Sequence, residues 1–454
     1  MVLQPDPPGP FSGEDVAPTL FPLGPAVPRA PRPVRGDPCR GTRLRQACRE
    51  QLSWGPIDAD SMLPQDHPVR AIWAVVDRLD LSALYVPIEA REGVAGAPAI
   101  DPKVLLALWV YGTSDGEASA REIWRLTTLH TAYRWICGGV DIGYHTISDF
   151  RSQQAEVIDA LITQVLALLL QQDLVDLHRV AQDGTRVRAS AGASSFRRGQ
   201  TLEALMAEAR EHLAAVQRDA ANPELTARQA AARRRGAEDR LARMEAAVAQ
   251  IPAVTAVKAR SGAKDKEARV STTDPEARVM KMGDGGFRPA YNVQLATTTD
   301  RARVIVGVRV SNSGNDQGLS SPMLDEIERR TGQRPAELLA DGGYNAHEAI
   351  EHATEQGTTC YMPVPTPRKG DVRDPHEPRA HDSAAVADWR TRMATDDAKA
   401  VYRQRAATAE TVNADAKTHR GLNGLSVRGH PKVQASASLF VLTYNILRLI
   451  TLTG

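Results

Sequence analysis

The stretch "PAELLADGGYNAHEA", residues 335–349, is a short apolar run that ends on an acid and two glycines before a helical pattern begins. A strand that hands over to a helix in this way belongs to α/β architecture. Aspartate before glycine is also ordinary turn chemistry, and aspartate caps helices, so the meaning of Asp341 depends on its company. A second stretch, "LVDLHRVAQDGTRVRAS" at 174–190, ends similarly and reads as a strand closing on Asp183 and Gly184. Between the two lies "YNVQLATTTDRARVIVGVRVSN", where Val304, Val306, Val308 and Val310 alternate and "TTTDRA" supplies the turn of a hairpin. Helical patterns follow at "QGLSSPMLDEIERRTG" and "AHEAIEHATEQ", then a short strand at "TTCYMPV". Strand, hairpin, helix, strand, helix, strand predicts a mixed sheet covered by helices.

Upstream, apolar residues from about 64 to 172 recur at three- and four-residue spacing, which predicts an all-α domain of five or six helices. Asp101 before Pro102 reads as an N-cap with proline at the first helical position. Residues 1–50 are rich in Pro and Gly and turn basic in "RAPRPVRGDPCRGTRLRQACR", a composition that predicts a disordered basic arm. The chain therefore divides into that arm, a helical domain at 51–172 and an α/β domain at 173–454. Inside the last, 201–251 holds two charged Ala-rich helical stretches broken by "ANP", a helical hairpin inserted in the domain. Residues 252–275 read as a polar linker and 364–395 as an irregular excursion. A long helix starts near Asp396, and an apolar helix closes the chain.

Composition narrows the classes. With 42% hydrophobic residues the chain can bury a large core, and a net charge of +1 leaves the distribution of charge to decide the partner. Four scattered cysteines at 39, 48, 137 and 360 give no disulfide framework, which points to a cytoplasmic setting. The start of the chain lacks the basic and apolar regions of a secretory signal. The run "SASLFVLTYNILRLI" is shorter than the roughly 20 residues of a membrane span and contains Asn445 and Arg448, so a buried helix and no membrane partner are expected.

In a helix from Asp396, Tyr402, Glu410 and Lys417 fall about two turns apart and share one face, with Arg405 nearby. Asp415, five residues beyond Glu410, points elsewhere. Two acids at strand ends and a glutamate on a later helix can converge on one sheet edge, and hard divalent cations require such oxygen ligands. A metal pair held by carboxylates drives phosphodiester chemistry. The glycine cluster "MGDGGFRPAYN" lacks the lysine of a phosphate-binding loop and reads as a turn, with Asp284 a weak candidate for an accessory acid.

Three segments, "VAQDGTRVRASAGASSFRR", "LLADGGYNA" and "YRQRAATAETVNADAKTHRGL", resemble the motifs of bacterial insertion-sequence transposases of the DDE type, and "LPQDHPVRAIWAVVDRLDLSALY" through "HTISDFR" is similar to their helical N-terminal domain. The resemblance covers nearly the whole chain from about residue 50. It implies a ribonuclease H-like catalytic core, Asp183, Asp341 and Glu410 as the metal-binding triad, and magnesium, with manganese able to substitute, as two ions. It also implies DNA-phosphate contacts for Arg405 and Lys417, with Tyr402 supporting the glutamate. Arg197 and Arg198 lie where a DNA strand leaving the first aspartate would pass. The expected activity is binding of the element's terminal inverted repeats, cleavage, and joining of the 3′ ends to target DNA by a homodimer assembled on paired ends. A nuclease that does not join strands and a silent DNA-binding remnant are the alternatives. Where many relatives carry a bulky aromatic and a glycine after the glutamate, this chain has Asn413 and Ala414.

Overall fold

The computed structural model describes residues 58–90, 98–219, 225–260, 267–367 and 373–454, so the expected basic arm lies outside the described residues. Helices come first: α1 (Pro68–Arg78), α2 (Ser82–Tyr85), α3 (Pro102–Ser114), α4 (Ala120–Leu129), α5 (Thr131–Cys137), α6 (Tyr144–Gln153) and α7 (Ala155–Gln171). That is one or two more than expected, because α2 and α5 are too short to show a period. The start of α3 is as read: Asp101 Oδ1 accepts from the Lys103 amide at 2.9 Å, with Pro102 in the first turn. Nearly all of α3 is buried, and its Trp109 donates Nε1–H to the Ile147 carbonyl at 2.8 Å.

Beyond α7 runs β1 (Arg179–Arg188). An inserted module follows: β2 (Phe196–Arg198), α8 (Gly199–Arg218), α9 (Ala227–Arg260) and β3 (Arg269–Ser271), with β2 and β3 paired antiparallel. The expected helical hairpin is present, but of the linker expected at 252–275 the described residues include the last turns of α9 and strand β3. Helix α9 continues through Pro252 because Val254 packs with Leu202, Ala247 and Val270, and this burial offsets the lost amide donor.

The sheet is completed by β4 (Arg278–Lys281), β5 (Phe287–Thr298), β6 (Ile305–Ser311), β7 (Glu337–Leu339) and β8 (Thr359–Tyr361), with α10 (Ser320–Thr331) before β7 and α11 (His347–Glu355) after it. Strand order is β4-β5-β1-β7-β8, with β6 also on β5. The β1–β5, β4–β5 and β5–β6 pairs are antiparallel, whereas β1–β7 and β7–β8 are parallel. This is the expected mixed α/β sheet. The irregular excursion expected to reach 395 is shorter, since α12 (Ala384–Ala394) forms where Val386, Trp389, Arg390 and Met393 share a buried face. The next helix is interrupted: α13 (Asp396–Arg405) passes into a π turn (Ala406–Glu410) and then α14 (Thr411–Thr418).

The last helix, α15 (His430–Thr453), has 24 residues, longer than its apolar run, and is apolar enough by composition to cross a membrane. It packs inside the fold on α3, α6, α7 and β6. One hydrophobic cluster accordingly joins the N-terminal helices, β5, β6 and α15. Asn445 explains the polar interruption: fully buried, it accepts from the Ile305 amide at 3.0 Å and donates to the Ile305 carbonyl at 2.8 Å, extending edge strand β6 with an amide. Asn445→Ala leaves both backbone groups unpaired and is expected to lower stability by about 2–3 kcal/mol. Urea unfolding checks this, and a change below about 0.5 kcal/mol would refute it.

Candidate active site

Register brings the two aspartates together. In the parallel pairing of β1 with β7, Ala181 lies opposite Leu339. Asp183 and Asp341 each stand two residues further on, just past the end of that pairing. Asp183 is not at a strand end as the sequence suggested, because β1 continues to Arg188 on the strength of its antiparallel pairing with β5, where Asp183 lies opposite Leu295. Asp341 does end its strand. Its Oδ1 accepts from the Gly343 amide at 2.7 Å and caps a single 3₁₀ turn, so turn chemistry and site placement coincide in one residue.

A single guanidinium spans the pair. Arg405 NH2 lies 3.0 Å from Asp183 Oδ1 and 3.7 Å from Asp341 Oδ2. The Asp183 side chain is only 17% exposed and that of Asp341 40%. Burial holds the Asp183 carboxyl above the usual carboxylate range; Arg405 and the Gly184 amide oppose this, while Asp341 and Asp316 add to it. Asn413 Nδ2 donates to the other Asp183 oxygen at 2.9 Å. The residue that stands in the aromatic's place thus touches the first aspartate.

The remaining candidates fall into two groups. Tyr402 and Lys417 lie within electrostatic reach of the pair. Burial raises the Tyr402 pKa, with Asp341, Asp183 and Glu410 adding to the effect. Burial and then Arg186 lower that of Lys417, while Asp183 opposes them. Glu410 ends the π turn and is exposed. It follows Ala409, which packs on Ala181 and Leu339, the same register pair that places the aspartates. Among the described residues no three His, Cys, Asp or Glu side chains form a ready metal cluster, so two of the three expected acids are brought together. Arg197 and Arg198 are exposed on β2 in the inserted module, with Arg198 ion-paired to Glu267 at 3.1 Å. Asp415 pairs with Arg420 at 3.2 Å.

Sequence reading missed the polar layer beneath the pair. Asn292 and Gln294 alternate with Tyr291, Val293 and Leu295 on β5, yet both are fully buried. Buried amides require partners. Both donate to Asp316, which lies in the loop between β6 and α10. Polar residues alternating within an apolar strand were the available signal. Asp284, the accessory acid weighed from sequence, is instead exposed and paired with Arg288 at 2.6 Å.

The donor set suits a hard divalent ion. Two facing carboxylates need positive charge between them, and the Arg405 guanidinium supplies it here.

Two family models match the chain. Residues 57–153 match the family described as Transposase domain (DUF772), and residues 358–450 match Transposase DDE domain. The second span contains Tyr402, Arg405, Glu410 and Lys417, and neither span reaches Asp183 or Asp341. No curated protein and no solved structure matches the chain.

Proposed function

We propose, from the premise that the chain is an insertion-sequence transposase of the DDE type, that it binds the inverted-repeat ends of its element, cleaves them and joins the freed 3′ ends to target DNA. The observation that carries this reading is the Arg405-bridged pair Asp183 and Asp341, each two residues past the last parallel pairing of β1 with β7. The sheet order, with an antiparallel hairpin on one side of β1 and two parallel strands on the other, supports a ribonuclease H-like core. Glu410, one residue from the helix position that packs over the pair, is the third carboxylate in this reading.

Asp183, Asp341 and Glu410 would hold magnesium, for which manganese can substitute. When bound, as two ions, the metal supplies activation of the attacking oxygen and charge relief at the leaving oxygen of an in-line phosphoryl transfer. The chain's own residues do the rest. Asp183 and Asp341 fix where negative oxygen gathers, Asn413 holds one Asp183 oxygen in place, and Tyr402 supports the helix that carries Glu410. Lys417, half-buried on the following turns of the helix, meets the DNA phosphate, as does Arg405 once released from the aspartates. The helices of the 57–153 match recognise the element's end, and two protomers assemble on paired ends.

The test is a labelled duplex carrying the element's own end, with magnesium or manganese. Metal-dependent nicking, and joining of a pre-cut end to a second duplex, are expected. Nicking without joining would reduce the protein to a nuclease, and tight binding without either would leave only DNA binding. Lys417→Ala is expected to flatten the dependence of log K on log salt by about 0.9, so its deficit is largest at low salt. Parallel salt profiles for the two proteins would remove Lys417 from the phosphate contact.

A further inference from the structure

Asp316 falls outside both family matches and is 8% exposed. Its Oδ1 accepts from Asn292 Nδ2 at 2.6 Å and Gln294 Nε2 at 2.8 Å, and its Oδ2 from Arg186 NH2 at 3.4 Å. Gln294 also accepts from Gln182 Nε2 at 3.0 Å and from the Tyr344 hydroxyl. Tyr344 ends the 3₁₀ turn that Asp341 caps, so a continuous polar chain runs from Asp316 to that turn.

A second connection runs through two glycines. A Cβ on Gly184 would lie 2.7 Å from Asp316 Oδ1 and 2.3 Å from Gln294 Nε2. A Cβ on Gly343 would lie 3.5 Å from Asp316 Cβ and 2.9 Å from Asp341 Oδ1. The residue after Asp183 and the second residue after Asp341 therefore both lie against the Asp316 side chain: a side chain at Gly184 would push into the Asp316 carboxylate, and one at Gly343 would touch Asp316 while pressing on Asp341. This gives the glycines of "QDGT" and "ADGGY" a physical purpose that turn chemistry alone does not supply.

We propose that Asp316 is a positioning residue of the transposase site: it sets the separation of Asp183 and Asp341 through Gly184 and Gly343, and thereby the affinity of the pair for a divalent cation. Its own negative charge adds to the attraction for that cation across a region with little water. The inference rests on the reading of the two aspartates as metal ligands. Groups that orient metal ligands without touching the ion typically alter affinity by about 10- to 100-fold when replaced.

Binding of manganese chloride alone, followed by calorimetry and by the loss of free Mn²⁺ signal in electron paramagnetic resonance, tests it on the full chain without DNA or turnover. Asp316→Asn keeps the shape and removes the charge. It is expected to weaken Mn²⁺ binding by at least about tenfold while the melting temperature stays near that of wild type. A purely structural role would lower the melting temperature and leave the affinity of the folded fraction unchanged, which would overturn the proposal. Should Asp316→Asn fail to fold, Asp316→Glu keeps the charge and shifts the contacts to Gly184 and Gly343 by one methylene. Weakened Mn²⁺ binding is again expected, and wild-type affinity there overturns the proposal. Asp341→Asn separates this from the parent reading: if wild type and Asp341→Asn take up Mn²⁺ equally, the metal site itself fails and Asp316 has nothing to position.

Discussion

Asp183→Asn is expected to lower metal-dependent cleavage by about 10³-fold, or roughly 4 kcal/mol of transition-state stabilisation. The amide has the carboxylate's shape but no charge to offer a cation, and one of its two terminal atoms becomes a donor. Asp183 has Arg405 on one oxygen and Asn413 on the other, so the exchange disturbs both contacts. Folding should survive, for an electrostatic reason. The Asp183 carboxyl is raised above its unfolded value, chiefly by burial. Its contribution to stability is therefore full below the unfolded carboxylate range and is lost as pH rises through the raised value. Above that raised value the ionised group disfavours the metal-free fold; Asn removes that penalty and leaves Arg405 paired with Asp341. Cleavage assays paired with melting curves across this range check both halves. Residual cleavage above a few per cent of wild type would exclude Asp183 from the chemistry.

The second large effect is expected from Arg405→Ala. Removing the guanidinium leaves two facing carboxylates without their cation, and breaking a largely buried pair in this way costs about 3 kcal/mol. The loss should be greatest above the raised range of Asp183 and should shrink as acid protonates that carboxyl. Manganese should recover most of it by taking over the charge, because a ligand that binds only the folded state stabilises by mass action. Urea unfolding of wild type and variant, with and without Mn²⁺, measures the exchange. Equal losses in both conditions would mean that Arg405 and the metal do not answer the same need.

How much of this was legible in the sequence can be argued residue by residue. The hairpin of β5 and β6 was readable because its valines alternate, and α3 because Asp101 and Pro102 mark its start. Asp341 was readable as a strand end because β7 is short and its neighbours on both sides are glycines and helix. Asp183 was misplaced within its strand because the length of β1 is set by β5, more than a hundred residues away. The same limit hid α12, whose buried face follows a Pro-rich stretch, and the last turns of α9, held by contacts from β3 and α8. The π turn carries no mark in "AATAE", since an extra residue in a helix is decided by what the helix packs against. Asp316, in "GNDQG", looks like any loop aspartate until β5 supplies the two amides that enclose it.

The common core of the N-terminal helices and α15 bears on what becomes of damaged copies of such an element. A frameshift or premature stop after residue 153 and before His430 removes the helix on which α3, α6 and α7 are packed. It also takes away Ser426, the partner of Arg151 on α6, when it falls upstream of that residue. The surviving fragment would retain every residue of the 57–153 match and lack the apolar surface that folds them. On the proposed reading, in which those helices recognise the element's end, such truncated copies are expected to leave no folded competitor for it.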